Sequence, residues 1–86
     1  NLPYSVTIDE DNNIIVGENG RVRIFDPTGK NVLQTITGLG FVEDIKISPF
    51  NQDLFVSDAS NHRIVIYKKV SAGLYQFKEL RSVGYY

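Results

Sequence analysis

The chain has 86 residues, of which 42% are hydrophobic and 22% are charged, so it suits one small folded domain and is too short for a multidomain enzyme. Nine basic and ten acidic side chains give a formal net charge of −1, which argues against a protein that binds nucleic acid through a basic surface. Cysteine is absent, which excludes disulfides, thiolate metal sites and a cysteine nucleophile.

Residues 1–40 predict four short strands. β-Branched and aromatic residues are concentrated at residues 6–9, 14–17, 21–26 and 32–37. The segments between them are rich in Asn, Asp, Gly and Pro, which favour turns. Polar and apolar residues alternate at the start of the third segment, and a period of two is typical of a strand.

Residues 41–86 repeat this pattern with short insertions in the turns. The matched segments are 6–8 with 45–47, 14–16 with 54–56, 21–25 with 63–67, and 33–41 with 77–85. In the last match, Phe77 aligns with Leu33 and Leu80 with Ile36. A repeat of about forty residues with four strands is typical of one blade of a β-propeller. We therefore predict an all-β chain with two four-stranded antiparallel blades, residues 1–40 and 41–86.

One segment of the second repeat is ambiguous. Val70, Leu74, Phe77 and Leu80 have helix-like spacing, so residues 74–82 could form a helix. The matching residues 32–37 are rich in β-branched side chains, which suit a helix poorly. We therefore predict a strand at residues 74–82.

Residues 56–67, with the sequence VSDASNHRIVIY, resemble the core of an NHL repeat. They contain the Asn-His element of that family at Asn61 and His62, followed by Arg63. Residues 17–26 are a shorter version without the histidine, and Pro3 before the first strand also matches the family. The chain thus resembles two blades of an NHL propeller, a family in which rings of six blades are usual.

Two blades alone leave two open faces, so we expect either a homotrimer that closes a six-bladed ring or a chain cut from a longer propeller. Residues 1–20 contain only acidic charged side chains, whereas those of residues 63–86 are mainly basic. These charges could favour head-to-tail contact between copies, or they could guard exposed strand edges.

The NHL-like motif provides the candidate structural residues. His62, the single histidine, is expected on the turn between the second and third strands. We expect His62, Asp58 and Asn61 to stabilise that turn through hydrogen bonds from their side chains to the backbone. Arg63 and Arg21 are expected to pair with Asp58 or Glu18, or to pack between blades. The acidic residues 9–13 lack the Gly and Glu that a calcium loop needs. We expect no catalytic residue, metal or cofactor.

The loops that we expect on one face of the propeller contain the candidate partner-binding residues. These are Tyr4, Glu18, Asn19, Phe41, Glu43, Asp44 and Ser60. Glu43 and Asp44 are also expected to line the central channel. The resemblance implies a rigid disc that holds a protein or, in some members, an RNA. The near-neutral charge favours a protein.

Three other functions are weighed against this one. A small propeller lectin would bind sugar between blades, although the chain has no Trp for stacking on it. The length of two repeats and the missing start Met favour an excised or engineered blade pair with no ligand of its own. An enzyme is disfavoured by the single histidine. No apolar stretch reaches the length of a membrane span, so we expect no membrane partner.

Overall fold

The computed structural model describes residues 2–82, which form two four-stranded antiparallel sheets. Sheet 1 contains β1 (Ser5–Ile8), β2 (Ile14–Glu18), β3 (Arg21–Phe25) and β4 (Val32–Ile36). Sheet 2 contains β5 (Val42–Ile47), β6 (Leu54–Asp58), β7 (Arg63–Ser71) and β8 (Leu74–Ser82), with a short 3₁₀ turn, Ala59–Asn61, between β6 and β7. In each sheet the strands lie side by side in chain order. The all-β prediction with two four-stranded antiparallel sheets is confirmed, and the predicted boundary between residues 40 and 41 falls in the segment that connects them.

The strands β1 and β3 end one residue before their predicted limits because aspartates start the turns that follow them. The Asp9 carboxylate accepts hydrogen bonds from the backbone N–H groups of Asp11 and Asn13. The carboxylate of Asp26 does the same for the N–H of Thr28. A carboxylate that binds the backbone two residues further on holds a turn, so these aspartates leave the strand.

Residues 74–82 form a strand, and the helical alternative is wrong. β8 pairs with β7 along its whole length, from Leu74 opposite Ser71 to Ser82 opposite Arg63. The helix-like spacing produces no buried stripe, because Phe77 and Leu80 are exposed while Tyr75, outside that pattern, is buried. Cross-strand pairing therefore decides the conformation of this segment.

The outer strands of the two repeats align one residue away from the predicted match. In sheet 1 the partner of Ile24 is Gln34 and the partner of Phe25 is Val32, so a bulge leaves Leu33 unpaired. The same bulge in sheet 2 pairs Ile66 with Glu79 and Tyr67 with Phe77. Gln34 therefore corresponds to Glu79, and Val32 rather than Leu33 corresponds to Phe77. The predicted matches to Val83, Gly84 and Tyr85 lie outside the described residues.

The two sheets pack face to face around one apolar core. We call the faces that meet the inner faces and the other two the outer faces. Directly paired residues share a face, so the strand registers assign each side chain. Sheet 1 contributes Ile15, Val22, Ile24 and Ile36, and sheet 2 contributes Val42, Ile45, Leu54, Val56, Val65, Tyr67 and Tyr75.

The sheets approach most closely at Gly17. A Cβ atom at this position would lie 2.7 Å from Cγ1 of Val42 and 2.5 Å from the Ser5 hydroxyl oxygen. Real Cβ atoms do not approach other atoms so closely, so glycine is required for β2 to pack against β5. The Ser5 hydroxyl is itself buried without a hydrogen-bond partner.

Candidate functional site

Asp58 is the centre of a hydrogen-bonded cluster that joins the two sheets. It is fully buried at the end of β6. Its Oδ2 accepts hydrogen bonds from Nδ2 of Asn61 at 2.9 Å and from Nε of Arg63 at 2.8 Å. Its Oδ1 accepts one from the backbone N–H of Gly40, in the segment that connects the sheets, at 3.0 Å. Burial opposes ionisation of Asp58, but these hydrogen bonds outweigh it and hold the pKa of the carboxyl below its usual value.

The segment that connects the sheets is also fixed to the 3₁₀ turn. Phe41 donates its backbone N–H to the Ser60 hydroxyl and accepts a hydrogen bond from the N–H of Ala59. A Cβ on Gly40 would lie 2.7 Å from Cβ of Ser60, so only glycine permits this approach. The motif residues thus anchor the chain entering sheet 2. The expectation that Asp58 holds its own turn through the backbone is wrong, because its carboxylate caps no N–H group of the 3₁₀ turn and binds the N–H of Gly40 instead.

His62 follows the 3₁₀ turn in the left-handed conformation, with φ 51°. Its backbone N–H donates to the carbonyl oxygen of Ala59 at 3.1 Å. A left-handed residue ends this turn and redirects the chain into β7. His62 therefore lies where the sequence predicts it, between the second and third strands of its sheet.

Glu18 is the counterpart of Asp58 in sheet 1. It is 1% exposed, and its carboxylate accepts hydrogen bonds from Nε of Arg21 at 2.6 Å and from Nε and Nη2 of Arg23 at 2.9 and 2.7 Å. The hydrogen bonds from Arg23, followed by those from Arg21, hold the pKa of Glu18 below its usual value. Arg23 replaces the Asn61 contact of the second cluster, and its guanidinium also lies 4.9 Å from the centre of the Phe25 ring. The expected pairings of Arg21 with Glu18 and of Arg63 with Asp58 are confirmed.

Four of the candidate partner-binding residues lie around the segment that connects the sheets. Asn19 forms an isolated β-bridge with Phe41, whose ring contacts the edge of the Tyr4 ring at a centroid distance of 4.5 Å. Ser60 joins them through its hydrogen bond to Phe41. Tyr4 is 48% exposed. We call Tyr4, Asn19, Phe41 and Ser60 the aromatic loop cluster.

The other candidates lie elsewhere. Glu18 is buried beneath its two arginines, so its carboxylate is already occupied. Glu43 is exposed at a bulge in β5, opposite no single residue of β6. The Asp44 carboxylate accepts a hydrogen bond from the adjacent N–H of Ile45 and lies 3.8 Å from Nζ of Lys46. The Asp44 carboxylate therefore contacts residues of its own strand.

A set of contacts that sequence reasoning missed joins the sheets at the opposite end. Lys69 of β7 contacts the carboxylates of Glu10 and Asp11, in the turn between β1 and β2. The Tyr75 hydroxyl donates to Oδ2 of buried Asp9 at 3.0 Å. The opposite charges at the two ends of the sequence thus meet in part within one chain. The complementary charges of residues 1–20 and 63–86 are the sequence signal for this contact, although they equally fit a contact between copies or the protection of strand edges.

Within residues 2–82, no group of three or more His, Asp and Glu side chains is arranged to hold a metal ion. These residues also enclose no pocket. Among them, no helix has the length and hydrophobicity that crossing a bilayer requires. The sheets therefore offer their faces and loops as the surfaces on which to look for function.

Neither the models of known protein families nor the curated proteins include a match to this chain.

Proposed function

We propose that the chain is a non-enzymatic propeller module of two NHL-like blades, which assembles with two further copies into a six-bladed ring and binds a protein at the aromatic loop cluster. The single observation behind this proposal is that each outer face repeats the inner face of the other sheet.

The outer face of sheet 1 has the same pattern as the inner face of sheet 2. Val6, Ile8, Ile14 and Val16 occupy the register positions that Ile45, Ile47, Leu54 and Val56 occupy in sheet 2. The second set is buried against sheet 1, Ile47 only in part, whereas Val6 and Ile8 remain 63% and 52% exposed. The acidic residue and arginine beside them are repeated too, as Glu18 with Arg21 and as Asp58 with Arg63.

The outer face of sheet 2 repeats the inner face of sheet 1 in the same way. Phe55, Ile64 and Ile66 occupy the register positions of Ile15, Val22 and Ile24. A second copy can therefore place its sheet 1 on this face with the same stacking that joins the two sheets within the chain. Such head-to-tail contacts close into a ring when the rotation per copy divides a full turn.

Assembly is tested by light scattering after size-exclusion chromatography over a range of concentrations. We expect a mass about three times the 9.7 kDa of one chain. Val6→Glu places a charge on the outer face of sheet 1 and should yield a folded monomer, because Val6 is mostly exposed within one chain. Val70→Glu is the matched control, since this exposed residue lies near the tip of the β7–β8 hairpin. A folded wild-type monomer at all concentrations would contradict the ring.

Protein binding is supported by the exposure of Tyr4 in the aromatic loop cluster and of Leu2, two residues before it in the chain. Aromatic rings held in fixed positions are favourable anchors for a protein partner. A displayed random-peptide library is the probe. We expect it to yield peptides that lose binding to Tyr4→Ser and keep it with Val70→Glu. Binding to a glycan array instead of to peptides would favour the lectin alternative.

A further inference from the structure

The Gln34 side chain hydrogen-bonds the outer strands of the two sheets to each other. The Gln34 amide donates Nε2–H to the Tyr75 carbonyl oxygen and accepts the Tyr75 N–H at Oε1, both at 2.8 Å. Gln34 lies on β4 and Tyr75 on β8, so this pair of hydrogen bonds spans the inner interface. It shows which register positions meet when one sheet stacks on another.

The shared bulge identifies the positions that would meet between copies. Because the bulge falls at the same place in both sheets, Glu79 of β8 occupies the position of Gln34. Counting two residues back from the equivalent Val32 and Phe77, Lys30 occupies the position of Tyr75. The backbone pairing of Asp26 with Asn31 supports this count, because Lys68 pairs with Gln76 at the matching place.

We infer that Glu79 of one copy pairs with Lys30 of the next, where Gln34 and Tyr75 pair within the chain. This inference rests on the proposed head-to-tail ring. Within the chain the Gln34 amide contacts the Tyr75 backbone, whereas between copies the Glu79 carboxylate would meet the ammonium group of the Lys30 side chain. Lys30 is exposed in a single chain, and the Glu79 side chain is 41% exposed.

The charged neighbours of Glu79 leave it available for this contact. Its Oε2 accepts a hydrogen bond from Nε of Arg81 at 2.9 Å, but the Arg81 side chain is largely in solvent and that of Glu79 is partly so. Lys78, the bulged residue beside it, is bound to Asp53 at 2.7 Å. One carboxylate oxygen of Glu79 can therefore keep Arg81 while the other accepts Lys30 of the next copy.

The pairing would also determine which outer faces meet when two copies stack. A copy that presented the outer face of its own sheet 2 would bring a second Glu79 towards the first, and like charges at close range are repelled. Only the outer face of sheet 1 brings Lys30 to this position. The charge pair therefore favours head-to-tail stacking over a closed two-fold dimer.

A charge-swap experiment tests the pairing, using sedimentation equilibrium of the full chain. Glu79→Lys and Lys30→Glu should each weaken assembly by at least about tenfold in dissociation constant, because each places like charges together. The double swap should return the constant to within about threefold of wild type. Ser71→Lys, at the tip of the β7–β8 hairpin, is the control for a change of net charge and should leave assembly unchanged.

The outcomes separate this inference from the ring itself. A wild type that assembles while the single swaps have no effect, or while the double swap fails to restore assembly, would overturn the Glu79–Lys30 pairing and leave the ring standing. A wild-type chain that remains monomeric would overturn both. Circular dichroism of each variant establishes that a weakened assembly comes from intact monomers.

Discussion

The side-chain amide of Gln34 binds both the N–H and the carbonyl oxygen of Tyr75. The Gln34 side chain thus makes the two hydrogen bonds that a neighbouring strand would make, but it makes them between two stacked sheets. Sheets packed face to face normally meet through side chains alone. Here a polar contact fixes the outer strands in register at the rim of the apolar core. The contact is half-buried, so its loss leaves two backbone groups poorly solvated.

Replacing Gln34 by Ala should lower the free energy of unfolding by about 1–3 kcal/mol, because both hydrogen bonds to Tyr75 are lost. Urea denaturation measures the change. Gln76→Ala is the matched control, because Gln76 is exposed on β8 and should change stability by less than about 0.5 kcal/mol. Equal effects of the two substitutions would contradict the structural role of Gln34.

Asp58→Ala should destabilise the chain by about 2–4 kcal/mol, since Arg63, Asn61 and the Gly40 N–H all lose their acceptor. Thermal and urea denaturation should agree on the loss. Glu43→Ala removes an exposed carboxylate and serves as the control, with a change below about 0.5 kcal/mol. A wild-type stability for Asp58→Ala would show that the cluster is dispensable.

The chain should lose stability in acid because the pKa values of Asp58 and Glu18 are lowered in the folded state from 3.8 and 4.5. A carboxyl with a lowered pKa stabilises the fold fully above its unfolded value, and this contribution is lost as the pH falls through the folded value. Denaturation curves recorded from pH 6 to about pH 2 should show that the free energy of unfolding begins to fall near pH 4.5. Glu18→Gln should flatten that decline, and an unchanged slope would exclude Glu18 as a source of it.

The loss of folding stability at alkaline pH should depend on Tyr75. Burial, followed by the hydrogen bond to Asp9, raises the pKa of its hydroxyl above 10.0. A group whose pKa is raised by folding contributes its full stabilisation below its unfolded pKa, here 10.0, and this stabilisation is lost as the pH rises towards the pKa of the folded state. Lys69, whose pKa is raised by Asp11 and Glu10, and buried Tyr67 add to the same loss. Tyr75→Phe should weaken the pH dependence above pH 10, as measured by denaturation at constant ionic strength, and a dependence equal to wild type would contradict this assignment.

Gly17→Ala should destabilise the chain by about 1–3 kcal/mol, because the new methyl group overlaps Val42 and Ser5. Ser5→Ala should be neutral or stabilising by about 1 kcal/mol, since it removes a buried hydroxyl without a partner. In the double variant part of the overlap is relieved, so the combined loss should be smaller than the sum. Strict additivity in this cycle would show that the two positions do not share the same space.

Strand positions followed from the sequence because turn residues and alternating side chains act locally. The alternation in β3 and the Asp and Gly residues around it required no knowledge of the rest of the chain. The contacts between the sheets were harder to predict from the sequence. The match of Phe77 to Leu33 was one residue off, because a bulge changes the register without changing the composition of either strand. The role of Gln34 was missed for the same reason.

The all-β chain and its repeated four-strand unit were predictable from the sequence, which also favoured the pairing of Arg63 with Asp58 and of Arg21 with Glu18. These features depend on local backbone preference and on residues only a few positions apart. Three contacts depend on the packing of the sheets. Asp58 anchors the segment around Gly40, Lys69 contacts Glu10 and Asp11 within one chain, and Gln34 binds the Tyr75 backbone. Those contacts join residues far apart in the chain, and they depend on how two twisted sheets stack, which no local pattern specifies.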